Sequence, residues 1–453
     1  MGKKFLISAL IAGLLGTTVL SAATKIDQQD INSINKYAQD SNPVDIDDQI
    51  EEDIQQYAQK NHFEFGLDEK RGKYFIYAIE SVALKPTDPD FVKSLSVGYE
   101  KAFFSAQEQF VMDIFGREAS QKESQLFSDN STDAREFASD KKAQGATAKI
   151  GRIFSKMLTL TEKSLDKALL KLGVQPDEIS KLNKKEKKTL FKNQFIAQTM
   201  KVAYGSVSGF IPIKTFVGKD EQGQYCVGVI AMRSPKTSQV AKDISMQRES
   251  MIEGRGKDIK NIVPSDKKLL LNEFGLRLVF DASGRPALLA YGQWGFNAKG
   301  LGSYMKSQAK NSAKSMAQDM ADSMISDFVN GYLQANSTTK RGEVVQKVLE
   351  REGGVDGVVT DKTIKTLIDK INKNAKITSS MKLAGVSTVR RWSTKNKYGL
   401  YVAGVVRKWT FGGLSAAKSV QSGRAMKAKA KHEKKSYTRD VQGSQEYNTV
   451  NDF

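Results

Sequence analysis

The sequence predicts an α+β protein of two related units, each made of antiparallel β-hairpins packed with long helices and carrying helical insertions. Three observations lead there: four hairpin signals, long stretches with apolar residues at helical spacing between them, and a gapless internal repeat at an offset of 176 residues.

Taken in chain order, residues 1–23 read as a cleavable secretory signal peptide. Lys3 and Lys4 give the positive start, residues 5–20 the apolar core, and Ser21-Ala22-Ala23 the small-residue exit. No cysteine follows that core, so a bacterial lipid attachment has no acceptor. Residues 24–61 form an acidic leader with helical character over 45–59. Phe63, Phe65 and Leu67, then the run 73–82, flank Asp68-Glu-Lys-Arg-Gly72 as a first hairpin. A helix is expected over 89–116, a polar insertion over 117–145, and helices over 149–172 and 177–204. Residues 209–215 and 225–233, joined by Lys219-Asp-Glu-Gln-Gly223, make the second hairpin, and 237–251 returns to helix. Residues 253–269 read as a linker rich in glycine and charge. The third hairpin turns at Asp281-Ala-Ser-Gly284. A long helix with an Ala/Met stripe (Ala313, Ala317, Met320, Met324) spans 304–333, a further helix 360–374, and the fourth hairpin 381–411 turns at Lys395-Asn-Lys-Tyr-Gly399.

The repeat places Gly209 on Gly385, Lys214 on Arg390, Gly223 on Gly399, Tyr225 on Tyr401 and Gly228 on Gly404, and continues to Ala241-Lys242 on Ala417-Lys418. Glu64-Phe-Gly-Leu67 and Glu273-Phe-Gly-Leu276 open the other two hairpins alike. Unit one is thus 62–252 and unit two 270–425, followed by a basic tail, 426–453. Gly223 and Gly399 suit turns with positive φ, and Gly228 and Gly404, inside apolar strands, mark a bulge or a close approach of a helix.

The formal charge is +19, of which the two signal-peptide lysines contribute two. Its asymmetry, an acidic leader against a basic carboxyl-terminal region, points that region toward an anionic surface; a solvated tail is the competing reading. The residues expected to meet such a partner are Arg390, Arg391 and Trp392, then Arg407, Lys408 and Trp409, and in the tail Lys427, Lys429, Lys431, Lys434 and Lys435. The two strand clusters also fit the outward face of an amphipathic strand. Nucleic acid is not expected, because aromatic residues do not interleave with the lysines of 181–192 or of the tail.

Cys226 is the only cysteine, which excludes an intrachain disulfide, and its strand setting reads as a small buried hydrophobe. The only histidines, His62 and His432, lie far from any nucleophile pattern. No HExxH, CxxC, phosphate-loop or calcium-loop spacing occurs, so neither cofactor nor metal is expected. The carboxylate pairs Asp47-Asp48 and Glu51-Glu52 have the residue types of a glycan hydrolase but sit in the acidic leader. No segment after the signal is long and apolar enough for a second spanning helix.

The helix rich in small residues, the glycine-opened strand, the charged turn and the Tyr-x-x-Gly-Val strand of 192–242, matched in part within 303–418, resemble the LPP20-like fold of bacterial envelope proteins. Members include outer-membrane lipoproteins and flagellar-base assembly factors, so the resemblance implies a structural or scaffolding role. This chain departs from them in lacking the lipidated cysteine and in having two units with long insertions. The expectation is a non-catalytic periplasmic scaffold or interaction protein, with envelope proteins or anionic envelope polymers as partners; the alternatives are a binder of anionic envelope lipid or glycan through the basic carboxyl-terminal region, and an envelope-polymer hydrolase.

Overall fold

The computed structural model describes residues 45–127, 159–220, 222–331, 345–346 and 384–422. The signal, most of the leader, the helix expected at 360–374 and the tail with Lys427, Lys429, Lys431, Lys434 and Lys435 lie outside them.

Two four-stranded antiparallel sheets organise the chain. Sheet A contains β1 (Gly66–Asp68), β2 (Lys73–Val82), β3 (Ile211–Lys219) and β4 (Tyr225–Arg233) in the order β1-β2-β4-β3. Sheet B repeats that order with β5 (Gly275–Phe280), β6 (Pro286–Phe296), β7 (Val386–Lys395) and β8 (Tyr401–Thr410), as β5-β6-β8-β7. Each sheet is therefore two hairpins joined through their second strands, and the mixed α+β class follows.

The repeat holds at the level of single hydrogen bonds. β3 slips register between Pro212 and Lys214, and β7 slips between Thr388 and Arg390, the positions 176 residues on. Ser234 caps α6 (Pro235–Ser245) by accepting from the Thr237 amide, as Thr410 caps α10 (Phe411–Gln421) by accepting from that of Gly413. Gly209 and Gly385 have φ of +83° and +92°. A β-carbon at either would stand 2.4–2.7 Å from helix backbone, at Thr237–Ser238 or Gly413–Leu414. Glycine is thus required there twice over, by conformation and by space.

Helices cover both faces of each sheet. Strands with nearly every residue buried, such as β4 and β6, need that double cover. On sheet A, α2 (Phe91–Phe127) and α5 (Lys184–Gly205) pack against Tyr74, Ile76, Ala78 and Ala231. The other face meets α1 (Ile46–Lys60), which buries Ile46, Ile50, Ile54 and Ala58 in one stripe. Residues 46–60 of the acidic leader are thus part of the fold. On sheet B, α9 (Ser303–Asn330) lies so close that a β-carbon on Gly292 would stand 1.9 Å from the Ala317 carbonyl oxygen. The opposite face is covered by the start of α2 and by the expected linker, whose short helices α7 (Ile259–Ile262) and α8 (Lys267–Leu270) contribute buried Ile259, Val263 and Leu270.

Three helices differ from expectation: the one expected over 237–251 ends at Ser245, before Gln247 takes φ +51°. α2 continues to Phe127, through eleven residues assigned to the insertion. The stretch 177–204 is two helices, α4 (Pro176–Ile179) and α5, because Asn183 and Glu186 form a capping box that starts a new helix; α3 (Glu162–Lys171) precedes them. Gly331, at φ +67°, ends α9.

The two units are interlocked. The Gly209 amide donates to the Phe328 carbonyl (2.9 Å), the Ser208 hydroxyl to that of Val329 (2.9 Å), and the Ser96 hydroxyl to that of Gln293 (3.1 Å).

Candidate functional site

The six strand residues expected to form one basic and aromatic strip divide between the two faces of sheet B, because neighbours along a strand point to opposite sides. Trp392 lies across Gly404 in the core shared with the start of α2, and is 4% exposed. Trp409 faces the other way, packs against Phe411 and donates its indole N–H to the Ala384 carbonyl (3.0 Å). Arg407 pairs with Asp322 of α9 (Nε–Oδ1 2.6 Å, Nη2–Oδ2 3.1 Å) and reaches Thr388, while Arg390 donates to the carbonyls of Pro264 and Ser265. Both guanidiniums have structural partners. Arg391 is exposed and donates to Gln318 (3.1 Å), and Lys408 is half-buried.

A cleft of about 920 Å³ opens instead where the two units meet. Its floor and walls come from the first turns of α2 (Phe91, Val92, Leu95), from β3 and β4 (Val217, Tyr225), and from the segment around α8 (Leu269, Leu271). Lys268 on α8 and Lys397 at the β7–β8 turn bring positive charge to it, whereas the ammonium of Lys395 stands over the Tyr401 ring on the α9 face of sheet B.

That turn is held rigidly. Asn396 exchanges backbone bonds with Leu400 and Gly399, its side-chain oxygen accepts from the amides of Tyr398 and Leu400 (3.0 Å each), and Gly399 takes φ +79°. The turn thereby presents Lys397 and Tyr398 at the cleft. Tyr398 meets Tyr225 of sheet A hydroxyl to hydroxyl, and the rings of both stand edge-on to Phe91, at 6.0 and 5.0 Å.

The two phenols differ in acidity. Burial, then the contact with Tyr398, pushes Tyr225 well above its ordinary value. Desolvation pushes Tyr398 upward too, but the Tyr225 hydrogen bond and the ammonium groups of Lys397 and Lys219 outweigh it and bring it below 10. Next to them, Lys306 and Lys395 lie 4.9 and 4.7 Å from the Tyr401 ring centre, and their hydrogen bonds lower that phenol against a small desolvation effect. Among the described residues, no carboxylate is within ion-pair distance of Lys219, Lys395 or Lys397.

The remaining polar groups of the wall are mostly engaged. The Gln293 amide nitrogen donates to the carbonyls of Leu271 and Glu273 (3.2 Å each), and Asp266 caps α8 through the Lys268 amide (2.9 Å). Thr215 and Asn272 are not: Thr215 is 7% exposed, lines the cleft, and its Oγ1 has no hydrogen-bond partner, and the Asn272 side chain in the same wall makes no hydrogen bond among the described residues. Among the described residues no group of three or more His, Cys, Asp or Glu converges, and no helix is long and apolar enough to cross a membrane. Cys226 is buried, its thiol 3.6 Å from the Ser81 hydroxyl.

Sequence reasoning passed over Lys397, Tyr398, Tyr225 and Thr215 as site residues. The available signal was a difference inside the repeat, where Asp220-Glu221 is replaced by Asn396-Lys397.

Residues 150–246 match the model of a domain of unknown function, DUF6844, a stretch that takes in α3 to α6. The chain is also similar to the hypothetical protein FTT1539c from Francisella tularensis, solved in a 2.3 Å crystal structure. The identity is 21%, over 86% of this chain and 94% of that one, with a TM-score of 0.43. No curated protein matches the chain.

Proposed function

We propose that the protein is a non-catalytic periplasmic interaction protein of the cell envelope, and that the cleft between its two units holds an anionic partner. The observation that carries this reading is the β7–β8 turn, which sets Lys397 beside the cleft with no carboxylate, among the described residues, within ion-pair distance of it. Positive charge beside a concave site attracts anions more strongly than the same charge on an open face. The buried, unpartnered Thr215 hydroxyl points the same way, since such a group costs free energy until a partner arrives. The cleft's single acidic side chain, Asp266, is engaged as a helix cap, which speaks against a pair of carboxylates acting on a glycan. Export and the periplasmic address rest on the signal-like residues 1–23, and the scaffolding role is in keeping with the LPP20-like resemblance.

Calorimetric titration of the full chain with glycerol phosphate, dodecyl phosphate and neutral dodecyl maltoside, at low and at physiological salt, tests this. At least one of the two anions is expected to bind, more weakly as salt rises. Lys397→Ala substitution is expected to weaken that binding about tenfold or more, whereas Arg391→Ala and deletion of 424–453 leave it unchanged. Binding of neither anion, or binding indifferent to Lys397, overturns the reading. Anion binding lost only on deletion of 424–453 would transfer the role to the basic tail.

A further inference from the structure

We infer that the projecting start of α9 is a membrane-docking face: Leu301, Tyr304 and Met305 enter the surface of an anionic bilayer, while Lys299, Lys306, Lys310 and Lys395 meet its phosphates. This surface is separate from the cleft and does not rest on the reading above. β6 ends at Phe296, the chain leaves sheet B, and every residue from Lys299 to Gln308 is exposed. The helix joins the core only at Ala309 and Ala313, beside Phe296 and Tyr401. Within that exposed run Leu301 is 41%, Tyr304 73% and Met305 55% exposed. The helix that follows the second strand of unit one, α2, does the opposite: Phe91 and Val92 in its first turn are buried, and Asp88 and Asp90 precede them.

The charge around this tip has one sign. No aspartate or glutamate occurs between Asp281 and Asp319, or anywhere in 384–422, so β6, β7, β8 and the first half of α9 carry no negative side chain. Lys306 and Lys395 meet over one ring, that of Tyr401, and the Lys306 ammonium donates to its hydroxyl (3.3 Å). Among the described residues, no carboxylate is within ion-pair distance of Lys299, Lys306, Lys310 or Lys395. Like charges gathered in this way repel, and an anionic partner relieves the repulsion. The chain beyond 422 is itself basic, so charge does not favour it as the cover. Residue type and position favour a bilayer over an acidic protein. Protein interfaces are depleted in lysine and enriched in arginine, and these four cations are all lysines. The apolar side chains stand on a projecting end, where they can pass between head groups. Lysine stems then lie along the apolar layer with their ammoniums at the phosphates, and a tyrosine ring suits the boundary between the two.

Co-sedimentation with vesicles of phosphatidylcholine, alone or with about one-third phosphatidylglycerol, tests this. The chain from residue 24 onward is used, since the apolar run 5–20 would enter vesicles by itself. Binding to the anionic vesicles is expected to be at least about tenfold tighter than to the neutral ones, and weaker as salt rises. Lys306→Glu with Lys310→Glu should weaken it about tenfold or more, and Tyr304→Ser with Met305→Ser should weaken it at unchanged charge. Lys184→Glu with Lys185→Glu, an equal change of charge on exposed residues of α5, should leave it unaltered. Equal losses from the two charge reversals, or binding lost only on deletion of 424–453, overturn the proposal. In Tyr304→Trp the indole emission should shift to the blue on anionic vesicles. No shift, or a single-stranded oligonucleotide bound as tightly as the vesicles, overturns the bilayer as partner. Melting temperatures control for folding, and glycerol phosphate binding should be the same in all the α9 variants, which keeps this face distinct from the cleft.

Discussion

The turns 219–225 and 395–401 match at the residues that fix their geometry and at Lys219 and Lys395, and differ between them, where Glu221-Gln222 is replaced by Lys397-Tyr398. Asp220 and Asn396 each bond back to the residue four further on, and Gly223 and Gly399 both take φ +79°. In unit one the turn is tied down by Lys85, which donates to the Gln222 carbonyl (3.3 Å). In unit two the same frame carries Lys397 and Tyr398 to the cleft. The lesson is that the repeat keeps the residues that dictate backbone geometry and leaves the projecting side chains free to diverge. A second contrast concerns the central glycines: Gly228 makes room for Ile50 and Ile54 of a covering helix, and Gly404 for the indole of Trp392.

The largest effect should come from the indole. Trp392→Ala should cost about 4 kcal/mol in urea unfolding, as buried aromatic truncations do. Its repeat counterpart Phe216 is only half-buried against Tyr57, so Phe216→Ala should cost about 2 kcal/mol. Equal losses would mean that α1 covers its sheet no better than a single ring does. Next, Gly209→Ala and Gly385→Ala should each cost about 3 kcal/mol, from positive φ and contact with helix backbone together. Here the copies should agree, and a difference of more than about 1 kcal/mol would mean that one of the two approaches is looser than its geometry implies.

These glycines also show what was legible beforehand. Everything from Gly209 to the end of α6 has a counterpart 176 residues on, so glycine positions, turn type and hairpin order could be aligned directly. Interactions local in sequence leave local signatures. The cap at Asn183 was as local, but helical periodicity running across it concealed the break. The cleft was not legible, because its walls come from five separate stretches of chain and no single stretch reports what the others bring. The division of Arg390, Arg391, Arg407 and Lys408 between two faces was missed for a simpler reason: the strip was read along the strands without the alternation of the pleat.

The smallest expected effect concerns the phenols. With its folded-state value below the unfolded value near 10, Tyr398 contributes stability that grows as pH rises between the two. Tyr225 is shifted the other way, so its contribution is present below the unfolded value and is lost as pH rises above it. Stability should therefore rise slightly toward pH ~10 and fall beyond it. Phenolate absorbance of Tyr398→Phe should show one fewer group ionising early; an unchanged titration curve would mean that the two phenols do not interact in solution.

The bond from Ser96 to Gln293 joins residues 197 positions apart, and that between Tyr225 and Tyr398 spans 173. Contacts at such separations close last, because the chain between must first be gathered at an entropic cost that nearby contacts do not bear. The cleft accordingly comes into being only when the second repeat has been made and docked. Until then the two halves are separate hairpins and helices with nothing to hold between them.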